Sequence, residues 1–267
     1  MSTVRTVPAV NAFSSVASFF DFLPQAERSA LLIDYDGTLA PFTQQRDAAL
    51  PYPGMLPLLD AIKQAGTHVA IVSGRPASEV VRLLGSSDFE VWGSHAFEHV
   101  VPGQEREVQM LEADTAEALF SLIAALESQG LGEHIERKPC GIAIHWRGET
   151  PTRQAEIDDI VVATWAATRF RAGLLLRVFD GGREIRVAAH NKRDAVRATL
   201  NELPNASAVA YLGDDHTDED AFQELGQRGL SVLVRPEYRP TAAKFWLRPP
   251  VELTEFLSRW ATSLEVR

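Results

Sequence analysis

The sequence predicts an α/β protein built on a doubly wound parallel sheet of Rossmann-like topology, with a second α+β unit inserted into it. Three observations predict this. Short apolar runs alternate with helical patterns over the first hundred residues, and the same alternation returns after residue 189. Between them the pattern changes to helix, two strands, helix, two strands.

The elements follow in order. AVNAFSSVASFFDFLP reads as a short amphipathic helix, because Asn11, repeated serines and Asp21 interrupt its apolar character; a signal peptide is the alternative. LLIDY is a buried strand, and PGMLPLLDAIKQAG is a helix opening near Pro53 and closing at Gly66. THVAIVSGR is a buried strand running into Gly74, PASEVVRLLG a helix with proline at its start and Gly85 at its end, and FEVWGSHAFEH one further short strand. Strands and helices at this spacing imply right-handed crossovers and parallel pairing. Late in the chain NKRDAVRATLNEL reads as a helix, ASAVAYLGDD as a strand, TDEDAFQELGQRG as a helix and LSVLVR as a strand. The predicted core is therefore residues 1–109 with 189–267. The predicted insertion, 110–188, has the order αββαββ: an antiparallel sheet covered by two helices.

Composition narrows the function. A net charge of -10 speaks against a nucleic-acid-binding surface, since phosphate backbones reward basic patches, but leaves small anions open through local focusing. Cys140 is the single cysteine, so neither a disulfide nor a cysteine zinc site is expected, and a reducing, cytoplasmic setting is. No apolar run approaches the roughly 20 residues that span a bilayer, so no membrane partner is expected.

Four polar elements end predicted core strands or open a core helix: Asp34 and Asp36 with Gly37 and Thr38; Ser73-Gly74-Arg75; Lys192; and Gly213-Asp214-Asp215-His216-Thr217-Asp218. In open parallel sheets the strand carboxyl ends form the ligand crevice, so the four should converge. Period-two geometry points Asp34 and Asp36 to one side, where like charges repel; a cation is expected there. A carboxylate with an ordinary pKa near 4 is already an ionised nucleophile at neutral pH, and a phosphoryl group is a fitting electrophile. At 4 Å each like-charge pair costs about 4 kcal/mol at an effective dielectric of 20, which a hard divalent cation such as Mg²⁺ offsets. Asp34, Asp214 and the Asp36 carbonyl form the expected shell, with Asp215 and Asp218 orienting waters or Lys192. Ser73, Lys192 and the amides around Gly37 would donate to phosphoryl oxygens, and Asp36 would serve as acid and base.

In this order, DxDGT, Ser, Lys and GDxxxD resemble the motifs of the haloacid dehalogenase (HAD) superfamily of phosphohydrolases. More narrowly, LLIDYDGTLAPF, IVSGR, GSHAFE, ERKPCGIAIHWR, EIRVAAHNK and GDDHTDEDAF resemble text of the trehalose-6-phosphate phosphatase family. The resemblance implies a C2-type cap, Mg²⁺-dependent hydrolysis of trehalose 6-phosphate through an aspartyl phosphate, and a functional partnership with a trehalose-6-phosphate synthase. It implies sugar contacts from His95, Glu98, Lys138, His145, Arg147 and Glu184, made when the cap closes. Ala96 stands where the family has glycine, and VAAHNK replaces its proline- and glycine-containing approach to the lysine. Alternatives stay open: a hydrogen-bonded hairpin for His95 and Glu98, a solvated sheet face for Lys138, His145 and Arg147, and an acidic helix cap for part of GDDHTDED. Another sugar phosphate is the rival substrate; a phosphoacceptor receiver and an idle domain beside a synthase are rival classes.

Overall fold

The computed structural model describes residues 13–43, 45–168, 173–179 and 181–264. They divide into two compact units: one runs to Glu107 and resumes at Asn191, and the other is Val108–His190. In chain order the first unit begins with α1 (Val16–Phe22), β1 (Ser29–Asp34), α2 (Met55–Gln64), β2 (Thr67–Val72), α3 (Ala77–Leu84), β3 (Glu90–Gly93) and β4 (Glu98–Val100), and β5 (Glu107–Val108) ends it. The second unit holds α4 (Ala113–Ser128), β6 (Ile135–Lys138), β7 (Gly141–His145), α5 (Pro151–Ala167), β8 (Leu174–Phe179) and β9 (Gly182–Val187). The chain then adds α6 (Arg193–Glu202), β10 (Ala208–Gly213), α7 (Glu219–Leu225), β11 (Leu230–Val234), β12 (Phe245–Leu247) and α8 (Val251–Leu264) to the first unit.

The first sheet has the order β12-β11-β10-β1-β2-β3-β4-β5, parallel from β12 to β3 and antiparallel at β3/β4. Every residue of β1 and β10 is buried, because helices cover both faces. Alternation divides the strand residues between two cores. Leu31, Ile33, Val69, Ile71 and Leu212 pack with α2, α3 and α8, whereas Ala30, Leu32, Val72 and Tyr211 pack with Val196 of α6 and Phe222 of α7. Each fully buried Leu, Ile or Phe contributes about 1.5–3 kcal/mol.

Two features differ from the sequence reading. β12 and α8 extend the core, with α8 burying Leu253, Phe256, Leu257 and Trp260; the Trp260 indole N–H donates to Thr67 Oγ1 at 3.0 Å. FEVWGSHAFEH is also not one strand but the hairpin β3/β4. Its turn places Ser94, His95 and Ala96 at φ of 49, 57 and 68°, three consecutive left-handed residues without a glycine. Such backbone costs of order 1–2 kcal/mol per residue, which is why propensity alone does not anticipate it.

The second unit is the antiparallel sheet β6-β7-β9-β8 with α4 and α5. Ile142, Ile144 and Ile185 bury one face. Arg183 shares that face and its Nη2 pairs with Asp158 of α5 at 3.0 Å, which places α5 on it. Lys138, Ala143, His145, Glu184 and Arg186 lie on the other face by register. Among the described residues no helix is long and apolar enough to cross a membrane.

Candidate active site

The strand carboxyl ends bring the four polar elements together. Asp34 ends β1, Ser73 follows β2, Asp214 follows β10, and Lys192 stands just before α6. Lys192 Nζ donates to Asp34 Oδ1 at 2.6 Å and to Asp218 Oδ1 at 2.8 Å. Asp218 Oδ1 also accepts from the Tyr211 hydroxyl at 2.7 Å, while its Oδ2 accepts from the amides of Asp214 and Asp215 at 3.1 and 2.9 Å. Asp218 is fully engaged and holds Lys192 against Asp34. Tyr211 was not picked from the sequence; the available signal was a tyrosine in an otherwise apolar buried strand, whose hydroxyl needs a partner.

Asp214 is the opposite case. It is buried, and neither carboxylate oxygen meets a donor among the described residues. Gly37, at φ 83°, makes room for it: a Cβ there would lie 2.3 Å from Asp214 Oδ2, so a side chain would be strained and would displace Asp214. Asp34, Asp214 and Asp218 each offer a carboxylate oxygen, all within 4.8 Å of one another. Burial, then the charge of Asp218, pushes the Asp34 carboxyl up to about 7 despite Lys192. Burial followed by the charges of Asp34 and Asp218 holds Asp214 well above the usual carboxylate range. Unsatisfied oxygens and crowded negative charge are what a hard divalent cation relieves, so this donor set fits a metal ion.

Several predicted roles change. Of the predicted shell, Asp34 and Asp214 stand together, and Asp218, expected to orient waters or Lys192, brings a third carboxylate close to both. The Asp36 side chain receives the Arg75 guanidinium in bidentate fashion, Nε to Oδ2 at 2.7 Å and Nη2 to Oδ1 at 2.6 Å. Asp215 accepts from the Asp218 amide as one half of a reciprocal cap on the 216–218 turn. The Gly37 amide donates to Ala40 O at 2.8 Å, so it is occupied within the turn. Thr38 is buried with Oγ1 unpartnered among the described residues, and Ser73 Oγ accepts from the Arg75 amide at 3.1 Å, leaving its own proton to donate. Arg75 thus meets Asp36 and Glu79 rather than standing open to an anion.

His95 N–H donates to Ser73 O at 2.9 Å, and Gly74 admits the imidazole, since a Cβ there would come 2.8 Å from the ring. Glu98 is buried with both oxygens engaged: Oε2 accepts from Ser94 Oγ at 2.5 Å and the Ala77 amide at 3.2 Å, and Oε1 from Arg106 at 3.1 Å. It ties the left-handed turn to the start of α3, which is the hairpin alternative for Glu98.

In the second unit Lys138 Nζ donates to Glu184 Oε1 at 2.8 Å, and Arg186 Nε lies 3.6 Å from Glu184 Oε2. His145 Nε2 lies 2.7 Å from Glu136 Oε2 on the same face. Arg147 lies beyond β7 against Gly181, where a Cβ would come 2.4 Å from Arg147 Cγ. Arg186 and Glu136 join this polar face without having been singled out. The signal was their register, alternate to the buried isoleucines.

Comparisons with known proteins agree with this architecture. The trehalose-phosphatase family profile matches residues 32–250. The chain is 34% identical over 251 residues to the trehalose-phosphate phosphatase of Mycobacterium marinum, covering 89% of this chain and 62% of that protein. It is 30% identical over 265 residues to that of Mycobacterium leprae, covering 90% of this chain and 59% of the relative. The chain thus spans about three fifths of the length of these curated relatives. Among solved structures, the C-terminal domain of Candida albicans trehalose-6-phosphate phosphatase superposes with a TM-score of 0.76 at 20% identity, covering 97% of this chain and 99% of that one. A HAD phosphatase of Bacteroides thetaiotaomicron follows at a TM-score of 0.60 and 15% identity, covering 87% and 95%. On the family profile and the curated relatives, the chain belongs to the trehalose-phosphatase family.

Proposed function

We propose that this chain is a Mg²⁺-dependent phosphoric monoester hydrolase that converts trehalose 6-phosphate to trehalose and phosphate through a phosphorylated Asp34. The observation that carries the reading is the pairing of Lys192 with one oxygen of a buried Asp34, which leaves the other to attack. Asp34 would form the new O–P bond as the ester P–O bond breaks, and Asp36 would give its proton to the departing sugar oxygen. Asp36 would then take a proton from the water that attacks phosphorus, releasing phosphate and restoring Asp34. To do so, one Asp36 oxygen must leave the Arg75 fork. Lys192, Ser73 and Thr38 would donate to the phosphoryl oxygens. Held by Asp34 and Asp214, with Asp218 behind Lys192, Mg²⁺ would offset the like charges of carboxylates and phosphate dianion and keep Asp34 ionised.

The polar face of the second unit, with Lys138, His145 and Glu184, is the proposed reader of the sugar, with His95 and Arg147 as further contacts. A cytoplasmic location and a partner synthase that supplies the phosphate ester complete the reading; the family membership and the absence of a cysteine pair support it. Other sugar phosphates are the rival substrates. Phosphate release from trehalose 6-phosphate, sucrose phosphate, glucosylglycerol phosphate and mannosylglycerate phosphate, each with Mg²⁺ and with EDTA, is the test. Trehalose 6-phosphate should be hydrolysed with the highest kcat/KM, and only with Mg²⁺. Equal rates across the panel would refute the substrate, and indifference to EDTA would refute the metal.

A further inference from the structure

The Asp214 side chain is buried with no donor for either oxygen among the described residues, so its hydrogen-bonded anchoring comes through its main chain. That main chain is held from both sides. Its N–H donates to Asp218 Oδ2 at 3.1 Å, and its carbonyl accepts from Arg235 Nη1 at 3.3 Å and from Arg239 Nε at 3.2 Å. Two guanidinium groups converging on one peptide oxygen work against their mutual repulsion, so the arrangement needs anchors. Both arginines have them. Arg235 directly follows β11; its N–H donates to Leu247 O at 2.9 Å and its carbonyl accepts from the Trp246 indole at 2.7 Å. Arg239 Nη1 donates to Glu219 Oε1 at 2.5 Å, and Glu219 also accepts from Thr241 Oγ1 at 2.8 Å and the Ala242 amide at 2.7 Å. Glu219 opens α7, so the loop after β11 is buckled to the helix that follows Asp218.

We propose that Arg235 and Arg239 are positioning residues for Asp214: by fixing its peptide carbonyl they orient a carboxylate that has no polar partner of its own toward the metal site. Neither arginine lies in the four chemical motifs, and the role rests on the metal-dependent reading above. Partners of this outer kind change metal affinity by about 10- to 100-fold.

The test is calorimetric Mg²⁺ binding to the whole chain, with Mg²⁺-induced Tm shifts alongside, for wild type, R235Q/R239Q, R239K and E219Q. The double variant should bind Mg²⁺ at least about 10-fold more weakly. E219Q, which keeps both charges but loosens Arg239, should show a smaller loss, and R239K, whose single ammonium cannot span Glu219 and the carbonyl together, should match it. Should the double variant fail to fold, R239K and E219Q carry the test alone. Unchanged affinity in the variants that fold, whatever their Tm, overturns the proposal; so does full affinity in R239K, which would make charge alone sufficient. Wild type that binds Mg²⁺ and hydrolyses substrate beside unaffected variants defeats this inference only, whereas wild type that binds no Mg²⁺ defeats the metal reading and the inference with it.

Discussion

Two carboxylates of the same sheet, Glu90 half-buried and Asp34 buried, have opposite electrostatic fates. Glu90, opening β3, is desolvated, yet His68 and His99 bring its carboxyl down to about 2; their ring nitrogens lie 3.1 and 2.9 Å from its oxygens. The Trp92 indole adds a third donor at 2.6 Å. Asp34, ending β1, is also desolvated and has Lys192, yet its carboxyl rises to about 7 because burial acts together with the repulsion of Asp218. Burial alone decides neither outcome. What differs is whether neighbours donate or repel: the Glu90 cluster satisfies itself, while the Asp34 cluster has more negative charge than its own cations balance. A self-satisfied cluster stabilises; an unbalanced one awaits a ligand.

That contrast can be broken first at Asp34. Asp34→Asn keeps shape and burial but removes the proposed nucleophile, and turnover should fall by about 10⁴-fold or more with the near-UV dichroism unchanged. Rapid-quench labelling should find no phosphoenzyme; appreciable residual turnover would contradict the covalent route.

A smaller effect is expected at Glu184, a buried carboxylate of the second unit, which Lys138 balances. Glu184→Ala should lower kcat/KM for trehalose 6-phosphate by roughly 10-fold while hardly changing hydrolysis of a small artificial phosphomonoester. Equal losses on both substrates would make Glu184 a structural residue of the sheet.

The smallest effect sharpens the Glu90 side. The hydrogen bond that His68 donates to the Glu90 carboxylate raises the His68 pKa above its ordinary value of 6.5, so this pairing stabilises fully below about pH 6.5 and weakens as pH rises through the folded-state value. The depressed Glu90 carboxyl stabilises above its ordinary value of 4.5 and loses that contribution as pH falls toward 2. Their joint contribution is therefore largest between about pH 4.5 and 6.5. Thermal unfolding of wild type and Glu90→Gln should differ most in Tm near pH 5.5 and less at pH 8.5, with no change in substrate preference. A Tm difference that does not vary with pH would remove the histidines from the account.

Much of the core was legible because its signals are local. The runs SALLID and AVAYLG, buried along their whole length, are strands that helices cover on both faces, and the carboxylates that end such runs fall at the sheet's functional edge whatever the loops do. The alternation of β6 and β7 likewise put Lys138 and His145 on one face, whereas Arg147, expected beside them, lies beyond β7, and Glu184 joins through the β7/β9 register. The three left-handed residues at Ser94, His95 and Ala96 were not legible, since no glycine marks them and the turn is held by Glu98, Arg75 and Ser73 rather than by its own propensity.

By itself the sequence indicated the alternating strands and helices of the core from β1 to β3 and from α6 to β11, the αββαββ pattern between them, and which polar groups end the core strands, because periodicity and element boundaries are written in neighbouring residues. Only the tertiary structure decided how those groups are shared out. Lys192 reaches Asp34 across 158 positions and Arg75 takes Asp36 across 39. Asp218 is saturated while Asp214, four residues earlier, meets no donor among the described residues. A carboxylate's partner depends on which distant donors packing brings within hydrogen-bond reach, and no local pattern records that distance.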